Sequence, residues 1–233
     1  MNRPLRTGLI TLAVTGALLV TASVGFSASP RPNSGRRLTG TLVLTAGSAH
    51  RVGGRLVYSG TYFRMLDVGS TDQYIPNSSS KAPSDTYTFL SPGSERGLEL
   101  GRYQRPPARA FSSDGNALAR DIVRPQKFES IEFSISTANH SAQGGEPTPA
   151  PSLILRGNRL TGNLSAWTAE WNHTYFNQGA PKPGGSYPGL SQPVIGTYNT
   201  KTHAFTITWY SQIVGGPFSG CTGFWHLEGH IEG

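Results

Sequence analysis

The chain of 233 residues holds 29 glycines and 17 prolines, a density that interrupts long helices and excludes a helical bundle. Its single cysteine, Cys221, excludes an intramolecular disulfide, so stability must come from burial and hydrogen bonds. The net charge of +7 is unevenly spread: residues 29–64 carry six arginines (Arg31, Arg36, Arg37, Arg51, Arg55, Arg64) and no acid, while residues 65–233 carry twelve basic and thirteen acidic side chains, and no basic stripe interleaved with aromatics points to nucleic acid.

Arg3 and Arg6 precede an uncharged, largely apolar run over residues 7–29, and charge resumes at Arg31. A basic start, an apolar stretch and small residues at Gly25 and Ser27 form the pattern of an export signal. Residues 1–28 are read as that signal, cleaved or retained as an anchor, since an uncharged run of this length suffices to cross about 30 Å of hydrocarbon. The expected location is secreted or extracytoplasmic, in the cell envelope, with the membrane touched only through this segment if it stays uncleaved. Residues 29–36 are expected to be a disordered basic leader, suited to anionic envelope polymers. Residues 37–233 then form a single β domain.

Strand signals begin at Leu38. Leu38, Gly40, Leu42 and Leu44 alternate with Thr39, Thr41, Val43 and Thr45, the period of a half-buried strand. A turn over 46–54 leads to a strand over 55–66, and residues 67–85 form a long polar loop. A short strand is expected at 86–90, then irregular chain around a strand at 98–103. Asp114 caps the one expected helix, at 115–123, where Leu118 and Ile122 stand four apart and Pro125 stops propagation. Residues 127–137 form a strand with Ile131, Phe133 and Ile135 facing inward.

Residues 142–152, rich in Gly and Pro, are the candidate internal boundary. Leu153 and Leu155 enter a turn at Arg156-Gly157-Asn158-Arg159, and 160–171 returns. A second long loop at 177–193 precedes a closing meander of strands at 194–198, 203–210 and 222–231. Hairpin-linked strands of this kind predict an all-β fold, an antiparallel β-sandwich or flattened β-barrel with Greek-key or meander connections and at most one short helix. Residues 35–42 echo 157–164 at six of eight positions, and each copy is followed by Thr-Tyr-Phe, so two pseudo-repeated halves, 37–141 and 152–233, are an open alternative.

Two constellations bear on function. Trp167 and Trp171 share a strand face, with Asn172, Tyr175, Asn177 and Tyr187 close by; flat rings and amides suit the apolar CH patches and hydroxyls of sugar rings. The competing interpretation places those tryptophans in the core. His226, Glu228 and His230 share one face of the last strand and include the ligand types of a zinc or copper site, set against ordinary polar-out alternation.

Searches for catalysis return no nucleophile elbow and no phosphate-cradling loop. Glu95 and Glu99 are carboxylates whose pairing depends on the fold. No cofactor is expected. The expected function is an exported, non-catalytic binding or envelope-associated module for a glycan or other extracellular polymer. A secreted hydrolase or metal-dependent enzyme, and a purely structural surface protein, are the alternatives.

Overall fold

A computed structural model describes residues 35–183 and 191–233 of the chain, so the export segment, most of the basic leader and Tyr187 lie outside the described residues. The body is all-β, with no helix among the described residues. Its strands in chain order are β1 (Arg36–Arg37), β2 (Gly40–Leu44), β3 (Ser48–Val52), β4 (Arg55–Ser59), β5 (Tyr62–Leu66), β6 (Thr88–Phe89), β7 (Gly97–Leu100), β8 (Gln126–Phe128), β9 (Ile131–Thr137), β10 (Ser152–Arg156), β11 (Arg159–Asn163), β12 (Trp167–Trp171), β13 (Thr174–Asn177), β14 (Gln192–Tyr198), β15 (Ala204–Gln212) and β16 (Thr222–Glu232).

A ten-stranded antiparallel sheet, with eight strands in the order β1-β10-β11-β14-β15-β16-β2-β7 and β5 and β6 branching from β16, curls into a half-barrel. A four-stranded sheet, β13-β12-β9-β8, lies apart from it in pairing, and β3–β4 is a separate ribbon. The core takes side chains from both sheets. Trp209 and Trp225 stack with centroids 6.0 Å apart, and Trp167 of the small sheet meets them edge-on at 5.4 and 5.5 Å. All three are fully buried, and removing the apolar surface of each from water stabilises the fold by on the order of 2 kcal/mol or more. Trp209 donates to Gln178 O and Trp225 to Gln178 Oε1, which satisfies two of the three indole nitrogens.

Strand β16 organises the large sheet. One edge pairs with β15 from Thr222 to His230; the other pairs with β5 at Thr222–His226 and with β2 at Gly229–Glu232. Strands β2 and β5 are thus collinear, and the β3–β4 ribbon is extruded between them. The expected single strand over 55–66 is broken at Gly60, whose φ of 73° places it where a Cβ would meet Ala46 O at 2.1 Å. Strand β3 also occupies most of what reads as a turn over 46–54.

The expected helix at 115–123 does not form. Gly115 has φ 81°, and the following donors and acceptors bond to neighbouring chain: Ala117 N to Glu132 O, Leu118 N to Ala110 O, and Ala119 O from the Ser134 hydroxyl. Leu118 lies half-buried and Ile122 fully buried along an irregular segment packed on β9. The strand over 127–137 is interrupted at Glu129-Ser130, both in the left-handed region, and becomes β8 and β9. Of the echoed segments, 35–42 is divided between β1 and β2, whereas 157–164 contains the continuous β11.

Candidate functional site

The outer face of the large sheet is built by register. In β15 and β16 alternate residues are buried, Phe205, Ile207 and Trp209 opposite Gly229, Leu227 and Trp225. The intervening residues therefore face outward as cross-strand pairs: Ala204 with His230, Thr206 with Glu228, Thr208 with His226, Tyr210 with Phe224. Strand β14 extends these rows with Ile195 beside Thr208 and Thr197 beside Thr206; β5 extends them on the other side with Tyr62 beside His226 and Arg64 beside Phe224.

One end of this face is aromatic. Tyr62 stacks on His226 at 4.5 Å, Tyr210 meets Phe224 at 4.8 Å, and Tyr74 reaches Phe224 edge-on. The Arg64 guanidinium lies 3.3 Å from the Tyr74 ring centroid and 4.1 Å from that of Tyr87, and Tyr87 stacks on Tyr58 at 3.7 Å. This Tyr58–Tyr87–Arg64–Tyr74 series fastens the ribbon and the 67–87 connection to the sheet. Burial, with Tyr87 adjacent, pushes the Tyr62 hydroxyl up to about 12. Burial also lowers His226 below the ordinary histidine range, with Glu228 at 3.7 Å pulling partly back. The aromatic end is therefore polar but uncharged at His226 near neutral pH.

The other end is hydrophilic. A groove of about 850 Å³ is lined by Asn158, Thr197, Lys201, Thr206, Glu228 and His230, among others. The Glu228 carboxylate accepts from Gly60 N–H at 2.8 Å, and His230 Nε2 lies 3.0 Å from Glu232 Oε1. Hydroxyls, an amide, an ammonium and a carboxylate thus follow the rings along the same face: the Thr206–Glu228 pair is next to the Thr208–His226 pair, which is in turn next to Tyr210–Phe224. Such a surface offers apolar contact and hydrogen bonding together, as recognition of a polyhydroxylated chain requires.

The residues singled out in the sequence divide. Trp167 is a core residue with 1% exposure, and Asn177 is equally buried, its amide donating to Ser165 O. Trp171 is half-buried, packs on Phe218 and donates to Phe128 O. Asn172 forms a tight turn with His173, both at positive φ, and Tyr175 is exposed beside Phe111. These residues do not assemble into one exposed surface, because alternation sends Trp167 and Trp171 inward and Tyr175 outward.

His226 and His230 are four residues apart on an extended strand, roughly 13 Å along it, too far for one ion. Among the described residues no group of three or more His, Cys, Asp or Glu side chains is arranged to hold a metal. Glu95 and Glu99 both engage Arg102 instead of facing a shared cleft. Cys221 is buried, and burial pushes its thiol up, away from nucleophilic character.

Sequence reasoning missed the β5 and loop aromatics of the outer face. The available signal was the alternation of Tyr62 and Arg64 with Phe63 and Met65. Comparison with known proteins returns no matching family model, no similar curated protein and no similar solved structure.

Proposed function

We propose that this protein is an exported, non-catalytic β module that binds a glycan or similar extracellular polymer on the outer face of its large sheet. The observation that carries the reading is the continuity of half-exposed rings (Tyr62, Tyr210, Phe224) with the hydroxyl-, amide- and charge-lined groove beside Thr206 and Lys201. The export of the body is supported by the basic–apolar–small pattern of its first 28 residues. A rigid, cross-strand paired surface binds an extended polymer with little ordering cost on the protein side.

Affinity electrophoresis of the secreted chain through gels containing individual polysaccharides tests this. Retardation by at least one polysaccharide, relieved in Tyr210→Ala and in Lys201→Ala, is the expected result. Unretarded migration in every gel counts against the reading.

A further inference from the structure

Between β2 and β5 the chain leaves the large sheet as a ribbon with no third strand. A two-stranded ribbon is marginal by itself. Its root is held by Tyr58 stacked on Tyr87. Its tip is closed by Gly53 and Gly54, both at positive φ as a type I′ turn demands, with Arg51 Nη1 donating to Gly54 O at 2.8 Å. Toward the tip the apolar side chains are open to solvent: Val52 is 57% exposed, Val57 37% and Leu56 36%.

The charge on this ribbon has one sign. Arg51 and Arg55 accompany His50, no acidic residue occurs from 35 to 64, and neither arginine has an ion-pair partner among the described residues. Pairing sets Arg51 across from Leu56 and Arg55 across from Val52, so each cation is beside an apolar side chain on both faces of the tip.

We propose that this ribbon is a membrane-surface element, whose tip docks on a bilayer bearing anionic headgroups. Arg51 and Arg55 meet the headgroups while Val52, Leu56 and Val57 enter the interface, the arginine stems lying along the apolar layer. A soluble polyanion satisfies the arginines but leaves the valines and leucine in water. A second copy of the chain brings two cationic tips together, which like-charge repulsion opposes. The inference is independent of what the outer sheet face binds.

The test uses the full chain with an environment-sensitive fluorophore on Val52→Cys, and separately on Thr200→Cys in the exposed β14–β15 turn. Vesicles of phosphatidylcholine with phosphatidylglycerol should shift the position-52 emission to the blue and leave the position-200 emission as in water. Pure phosphatidylcholine vesicles, or the added Arg51→Glu and Arg55→Glu changes, should weaken the apparent affinity at least about tenfold. These substitutions lie on exposed positions, and unchanged near-ultraviolet circular dichroism verifies the fold. No shift at position 52, equal shifts at both positions, or a shift with a soluble polyanion equal to that with vesicles overturns the proposal.

Discussion

Glu170 sits fully buried on β12, and among the described residues neither of its carboxylate oxygens nor the nearby Ser136 hydroxyl has a hydrogen-bond partner. Burial pushes its carboxyl up to about 7, and Ser136, close but outside hydrogen-bonding geometry, offsets this only in part. Because the folded value lies above the ordinary value of 4.5, the native state holds the proton more tightly. Its contribution is fully present below about pH 4.5 and is lost as the pH rises through 7, a difference of about 3 kcal/mol. Denaturant titrations from pH 4 to 8 should show this decline in the wild type and not in Glu170→Gln; parallel profiles would contradict the assignment. The two tryptophans of the same strand separate in the same way. Trp167→Ala should cost about 3–5 kcal/mol. Trp171→Ala should cost about 2 kcal/mol through lost packing on Phe218 and the bond to Phe128 O, without altering polysaccharide binding.

At the scale of elements, the collinearity of β2 and β5 makes a specific prediction. Leu44 lies opposite Gly229 and Tyr62 opposite His226, so two positions of β16, Leu227 and Glu228, separate the two strands, and Thr45 and Ala46 are the right number of residues to fill them once Thr61 is removed. Deleting residues 47–61 should fuse β2 and β5 into one strand in register. The shortened chain should unfold cooperatively, at a cost of about 2–3 kcal/mol for the lost backbone bonds of Thr61 and Gly47 to Leu90. Loss of the cooperative transition in urea would show that the ribbon is integral to the sheet. The strand alternation at 38–45 and 222–231 was legible because one face of each is mostly apolar and the other mostly polar, with Val43 and Phe224 the exceptions. The break at Gly60 and the extruded ribbon were not, because they follow from how β16 pairs on its far edge. The helix pattern at 115–123 misled for a related reason: Leu118 and Ile122 carry a helical spacing, yet Glu132, Ala110 and Ser134 supply the hydrogen bonds that decide the backbone.

For the whole molecule, the fold class follows from composition, since frequent Gly and Pro with period-two apolar runs leave little alternative to layered antiparallel strands. The location of the candidate surface does not follow. It needs β5, β14, β15, β16 and the 67–87 connection side by side, and these are separated by more than a hundred residues of chain. Tryptophan-centred reasoning pointed to the small sheet, where the largest rings are core anchors; the outer face is instead built from tyrosines, Phe224 and His226. The most direct measurement is isothermal titration of the purified chain with a polysaccharide that retards it, repeated for Tyr210→Ala, Lys201→Ala and Trp171→Ala. Binding weakened about tenfold or more by the first two and unchanged by the third is the result expected. Binding that survives both outer-face substitutions, or that disappears with Trp171, would contradict the assignment of this surface.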